Sequence, residues 1–300
     1  VIVYHPKILS APLVADHLGI PHVVVEIVPV LSPTSEFAAA GTTTANLGPF
    51  NKLTYRAAAA SAAMFRRELN EAGALVGARG KTHLSSPTAS LLPISPAILP
   101  RPHDWPSTAH LTGAWFDRTQ TAPPDPEIAL FLEGGDFLYA GFGSMANGDP
   151  VARGRAVVEA SRRRGLRVLG ATGLGGLSIP SDLRGDDILV TGSVDHSTVL
   201  PRATAALHHG GIGTVHAAAR AGTTSVVIPF IADQPFWGAH LHRVGLSPAP
   251  IPARSFTSPR LSAALAQVED FAQPNRALAA AMSSEDGLRT AVTVVEQVVM

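Results

Sequence analysis

The 300-residue chain contains no cysteine. That single absence removes disulfide scaffolds, thiolate zinc sites, iron–sulfur clusters and cysteine nucleophiles. Charge is also sparse: charged residues make up 15% of the chain, and 23 basic residues balance 23 acidic ones. A net charge of zero speaks against a nucleic-acid binder, which needs a basic excess to neutralise phosphates. No uninterrupted apolar run approaches the roughly 18 to 20 residues of a membrane span. The most apolar early stretch, 23–31, is broken by Glu26 and Pro29. No charged-then-apolar signal peptide opens the chain. These absences predict a cytoplasmic protein, with or without loose attachment to a membrane surface.

What is present is 46% hydrophobic, with 27 glycines and 25 prolines. That is enough chain for a buried core and two domains. The chain starts at Val1, and residues 1–4 read as a strand already under way. The expectation is a first domain entered partway.

Strand-like and helix-like runs alternate, as in a parallel α/β sheet. In the first third, 1–4 and 22–28 read as strands, with a short helix over 12–18 stopped by Gly19 and Pro21. Residues 54–78 read as one long Ala-rich helix, with Tyr55, Ala58, Ala62, Phe65 and Leu69 at three- and four-residue steps. Residues 85–106 look irregular and Pro-rich, 110–115 reads as a strand, and 119–126 has the composition of a linker. Further strands are expected over 137–142, 167–171, 187–191, 203–208 and 224–228. Helices are expected over 150–164, 214–221, 234–244, 259–271 and 286–299.

Unusual residues gather where strands run into helices. Gly141-Phe142-Gly143-Ser144 follows an apolar strand, where glycine lets a backbone approach a ligand. His208-His209-Gly210-Gly211-Ile212-Gly213-Thr214 closes a strand and opens a helix, whose N-terminus favours a phosphate. Neighbouring strand residues point to opposite faces, so only one of the two histidines can meet a ligand. Asp233 and Gln234 offer acceptors and donors at another helix start, as sugar hydroxyls require, although Asp233 could be a plain N-cap. Val194-Asp195-His196 is weak by itself.

GFGS, HHGGIGT and PFIADQPFWG at these intervals resemble the donor domain of family 1 glycosyltransferases, most closely the sterol glucosyltransferase type and bacterial relatives acting on lipophilic natural products. The likeness covers 137–246 and reaches upstream through YHPKILSAPLVADHLGIP and HLTGAWF. It implies the GT-B fold: two α/β Rossmann-like domains facing a cleft, the N-terminal one truncated. The expected layout is an acceptor domain over 1–118, a linker over 119–136, a donor domain over 137–285, and a final helix over 286–300 packing back toward the first domain.

By the same resemblance Gly143 and Ser144 line the donor diphosphate, and His209, Gly211, Gly213 and Thr214 hold it, with His208 as a structural partner. Val194 and His196 lie near the uracil, Asp195 standing where the family often has proline. Asp233 and Gln234 bind sugar hydroxyls, and the glutamine favours glucose. The implied reaction moves a hexose from UDP-glucose, or a related nucleotide sugar, to a hydroxyl of a lipophilic acceptor with inversion. No metal and no cofactor are expected, the sugar nucleotide being a co-substrate. The family's base sits in a glycine-containing loop after the first strand and is expected upstream of Val1. Where family members using a His base often place a supporting Asp, this chain has His5. Neither His5, His22 nor His83 is taken as a replacement. Phe37, Phe50, Tyr55, Phe65 and Trp105 could wall an acceptor site or simply fill the core.

Two other readings stay open. A UDP-sugar binder without turnover has the same donor site. A nicotinamide oxidoreductase could use Gly141-x-Gly143-x-x-Ala146, but residues 167–173 lack the acid that a ribose needs. HExxH and G-x-S-x-G are both absent, which disfavours zinc and serine hydrolysis.

Overall fold

The structure is a computed structural model describing residues 1–77, 85–116 and 125–300, without the side chains of 61 and 62. The chain divides into two compact units, one of Val1–Asp117 with Glu285–Met300, the other of Arg118–Ser284.

The first unit is built on four parallel strands: β1 (Ile2–Tyr4), β2 (His22–Val25), β3 (Ala89–Leu92) and β4 (Ala109–Leu111). They lie in sequential order, with no reversal. Helix α1 (Ala11–Leu18) ends at Gly19 with φ 64°, the stop its sequence predicts. Strand β3 falls in the stretch read as irregular. All four of its residues are buried, so it lacks the alternation that would mark it, and four residues between Pro87 and Pro93 give little other signal. The expected helix over 54–78 is broken into α2 (Asn51–Ala60), a 3-10 turn and α3 (Arg66–Leu75); its last residue lies outside the described residues. The reason is packing: Tyr55 is buried, but Phe65 is 50% exposed, so the apolar steps do not continue onto a core. The last helix of the chain, α11 (Gly287–Val299), buries Ala291 and Val294 against Val23, Ala89 and Leu91. Asp286 caps it, accepting from the Arg289 N–H.

The second unit holds β5 (Phe137–Gly141), β6 (Arg167–Ala171), β7 (Ile188–Thr191), β8 (Ala205–His208) and β9 (Ser225–Val227). All pair in parallel, in the order β7-β6-β5-β8-β9. Strand β5 shows why both faces must be covered. Leu138, Ala140 and Phe142 enter one core with Val157, Val158, Leu261 and Leu265. Phe137 and Tyr139 enter another with Phe131, Leu169, Leu200 and Ala218. The helices are α4 (Pro126–Leu132), α5 (Pro150–Arg163), α6 (His196–Val199), α7 (Ile212–Ala221), α8 (Gln234–Arg243), α9 (Ser258–Leu265) and α10 (Ala272–Ser283). Two correct the sequence reading. Helix α4 occupies part of the stretch read as linker, the rest of which falls largely on the undescribed residues 117–124; Asp125 caps it, and Phe131 meets Phe137 edge-on at 5.6 Å. Helix α10 was not expected, and the predicted 259–271 helix stops at Leu265 before a 3-10 turn. No helix among the described residues is long and apolar enough to cross a membrane.

Helix α5 crosses the segment around Ser178 so closely that a Cβ on Gly154 would stand 2.8 Å from the Ser178 carbonyl carbon. Gly154→Ala should therefore destabilise the second unit by about 1–3 kcal/mol through overpacking. Urea unfolding checks this, and wild-type stability in the variant would show that the 178 segment yields freely.

Candidate functional site

The strand order reverses at β5. Strands β6 and β7 lie on one side of it, β8 and β9 on the other. In open parallel sheets such a reversal separates neighbouring loops at the carboxyl ends and leaves a crevice for ligands. Gly141–Ser144 and His208–Thr214 leave the two strands that flank it. They meet there: a Cβ on Gly143, whose φ is +56°, would stand 3.5 Å from His209 Cε1. The loop after β6 closes on the same turn, Leu174 donating its N–H to the Gly143 carbonyl at 3.0 Å. Gly210, at φ +89°, lets the β8 loop nestle against β9, since a Cβ there would lie 2.7 Å from Val227 Cγ1.

Helix α7 begins at this point. Its N-cap is Gly211, and no side chain caps it. The N–H groups of its first turn therefore lack a side-chain cap among the described residues, and Gly213 there is exposed, with open space where a Cβ would stand. Thr214 is half-buried in the same turn, and Ser144, next to Gly143, is exposed. Orphan amides and the helix dipole make this end suited to an anion.

The two histidines divide as strand alternation predicts. His208 is fully buried, and its Nδ1 accepts the Gly210 N–H at 3.1 Å. Burial, with smaller contributions from His209 and His196, pushes its pKa down to about 3. It is a neutral structural part of the turn. His209 is half-buried and lies against Gly211, whose absent Cβ would sit 2.5 Å from its Nε2. Its Nδ1 has no partner among the described residues. Burial lowers its pKa, and the Asp233 carboxylate works in the opposite direction. The ring is thus neutral near pH 7, with Nδ1 turned into the protein and Nε2 against the Gly211 turn.

The loop between β9 and α8 contributes Asp233 and Gln234, but not equally. Asp233 does not cap α8; its Oδ2 accepts from Trp237 Nε1 at 3.0 Å, and the residue stays half-buried. Gln234 is 5% exposed. Its Oε1 accepts the N–H groups of Phe230 and Ile231 at 2.8 and 3.1 Å, and its Nε2 points to Met145 Sδ at 3.3 Å. The amide of Gln234, expected at the sugar, thus braces the loop here, two backbone donors meeting its oxygen. Ala232 in this loop takes φ 56°, a conformation rare outside glycine.

Val194 and His196 sit at the end of β7. Val194 packs against the core beneath, and Asp195 caps the short α6, taking Ser197 N–H and both neighbouring hydroxyls. His196 Nε2 bonds Tyr139 Oη at 2.9 Å, with the rings edge-on. Tyr139 was not singled out from sequence. Its hydroxyl fills the space beside Gly141, so that glycine serves the tyrosine as well as the turn.

In the first unit, Phe37, Tyr55 and Trp105 are core residues, 6%, 3% and 5% exposed. Phe65, of the suggested aromatic wall, borders a cavity of about 860 Å³ with Ile8, Leu9, Leu31, Ala58 and Leu69. His22 is a satisfied core histidine between Tyr4 Oη and Ser85 Oγ, and His5 accepts the Lys7 N–H. His83 lies outside the described residues. Among the described residues, Glu36, His103 and Asp104 group as metal ligands might. Asp104 is nevertheless committed to Lys52 Nζ at 2.9 Å and to Thr34 and Ser35.

Residues 177–299 match the family described as Erythromycin biosynthesis protein CIII-like, C-terminal domain. A sterol 3-beta-glucosyltransferase of Arabidopsis thaliana is 36% identical over 205 residues, 66% of this chain and 32% of that protein. The O-mycaminosyltylonolide 6-deoxyallosyltransferase of Streptomyces fradiae is 37% identical over 225 residues, 71% of this chain and 50% of that protein. The chain thus spans half or less of these curated relatives. Among solved structures, the glycosyltransferase of kitacinnamycin superposes with a TM-score of 0.72 at 17% identity, covering 99% of this chain and 76% of that one. A UDP-glucose:anthocyanidin 3-O-glucosyltransferase in complex with UDP gives 0.69 at 13% identity, covering 99% and 75%. The glycosyltransferase VinC in complex with dTDP gives 0.65 at 17%, covering 99% and 71%. At these identities the structures speak for the fold alone.

Proposed function

We infer that the chain belongs to the family 1 glycosyltransferases of the GT-B fold, the group that holds the sterol and natural-product enzymes, and that its second unit binds a nucleoside diphosphate hexose, with UDP-glucose as donor. The observation that carries this reading is the uncapped start of α7 beside Gly143 and His209, at the point where the strand order reverses. In this reading the amides of Gly213 and Thr214 receive the diphosphate, with Ser144 facing them and His209 donating from the side. Val194 and His196 border the uracil. Asp233, half-buried beside His209, is the sugar's acceptor, held in place by the loop that Gln234 braces.

The reaction proposed is displacement at the anomeric carbon. An acceptor hydroxyl loses its proton to a base and attacks, and the nucleoside diphosphate leaves from the opposite face. Charge grows on the leaving diphosphate. Amides already aimed at that position stabilise it without reorganisation, by about 3–4 kcal/mol per donor in comparable sites. We propose that this suffices without a metal. No described residue is assigned as the base. A lipophilic acceptor fits the names of the sterol and tylonolide relatives, and the apolar cavity beside Phe65 could take one.

Calorimetric titration of the chain with UDP, UDP-glucose, dTDP and NAD tests the donor reading. Saturable UDP binding, tighter than dTDP and absent for NAD, is expected. A folded chain that binds none of the uridine nucleotides overturns it, and tighter dTDP binding moves the donor to the deoxysugar class.

A further inference from the structure

Arg153, in the first turn of α5, is an unusual residue for its position. It is 6% exposed, and no salt bridge among the described residues includes it. Buried guanidinium groups are costly unless their donors are satisfied. Here three carbonyls do so, from two different loops: Met145 at 3.1 Å and Asn147 at 2.6 Å after β5, and Gly176 after β6. The faces of the fork are covered as well. Phe142 of the β5 loop stands 5.3 Å from its central carbon, and Phe230 of the β9 loop 4.7 Å. One planar cation therefore joins the three loops that follow β5, β6 and β9. Gln234 makes a second joint between the first and third of them, through Met145 and the Phe230 N–H.

We propose that Arg153 is a positioning residue, which sets the β5 and β9 loops at the spacing that a nucleoside diphosphate sugar requires, without touching the ligand. The proposal rests on the donor reading above. Its physical basis is the planar fork: carbonyls from two loops and rings from two loops are satisfied together only by a flat group with several donors. A lysine keeps the charge but gathers its three donors on one nitrogen and has no plane to stack.

Arg153→Lys should therefore remain folded yet bind UDP-glucose about 10-fold or more weakly. UMP, which lacks the second phosphate and the sugar, should lose less than about 3-fold. A merely structural defect would weaken both ligands alike, through a smaller folded fraction. Amide hydrogen exchange without ligand provides the second readout: residues 145–147 and 230–232 should exchange faster in the variant while β5 and β8 stay protected. Should Arg153→Lys not fold, Phe230→Leu, which removes one stacking face and keeps the guanidinium, should show the same selective loss of UDP-glucose. Equal losses for both ligands, or wild-type affinity in a folded variant, overturn the proposal. A wild-type chain that binds no uridine nucleotide fails the donor reading itself and takes this inference with it, so the two failures are told apart by the wild-type titration.

Discussion

Lowering the pH from 7 to 5 should reduce the stability of the second unit by about 4 kcal/mol through His208 and His216 alone. Both rings are buried, and burial pushes their pKa values down to about 3 and about 4. In the unfolded chain an imidazole titrates at about 6.5. Below that pH the unfolded chain takes up protons that the folded one refuses, so stability is complete above 6.5 and is lost as pH falls toward the folded values. The slope approaches about 1.4 kcal/mol per pH unit for each ring. For His208 the cause is visible: a proton on Nδ1 would displace the Gly210 N–H that it accepts. His196 and His209, also lowered by burial, act in the same direction. Glu26 in the first unit, raised by burial against four hydrogen bonds, acts in the opposite one. The histidine share is therefore best isolated by substitution. Urea unfolding of wild type and His216→Asn at pH 7 and pH 5 should show the variant losing about 2 kcal/mol less than wild type. Parallel losses in both proteins would mean that His216 titrates normally.

His209→Ala should weaken UDP-glucose binding by about 1.5–3 kcal/mol, the range for a hydrogen bond to a charged group, or about 10- to 150-fold. The ring lies 3.5 Å from where a Cβ on Gly143 would stand, and its Nε2 lies against Gly211 at the start of α7. The pH dependence carries a second signature. Burial holds its pKa below the ordinary imidazole value in the free protein. A bound diphosphate raises that pKa, so binding takes up protons and affinity should rise as pH falls from the bound toward the free pKa of the ring. UDP-glucose is the ligand for this test because its diphosphate is fully esterified and does not itself titrate in the window. In His209→Ala this slope should vanish from the weakened binding that remains. Unchanged binding in the variant would remove His209 from the site and with it the assignment of the phosphate end.

Much of the second unit was legible in the sequence for a common reason. Each of its site loops follows an apolar strand, and glycine-rich turns mark where a backbone must bend or approach closely. The central strands matched to within two residues, and the division of labour between His208 and His209 follows from alternation along a strand, which is local geometry. Other features were not local. Strand β3 is identified by the strands that bury it on either side, not by its own four residues. Helix α4 carries an N-cap and a proline at its start, but its short apolar face has meaning only against Phe137.

The site residues divide along the same line. Sequence by itself determined which chemistry gathers at the loops: glycine, histidine, hydroxyl and carboxylate, next to a helix start. Only the tertiary structure decided what each group is free to do. Asp233 and Gln234 are adjacent in the chain and equally suited to a sugar by type. Folding leaves Asp233 half-buried beside His209 and turns Gln234 inward to hold the Phe230 and Ile231 amides. Arg153 looks like one arginine among several on a polar helix, and nothing in its neighbours along the chain reveals two aromatic rings and three carbonyls drawn from separate loops. The physical reason is one of range: a turn or a strand face is set by residues a few positions apart, whereas the availability of a polar group depends on every loop that packs around it.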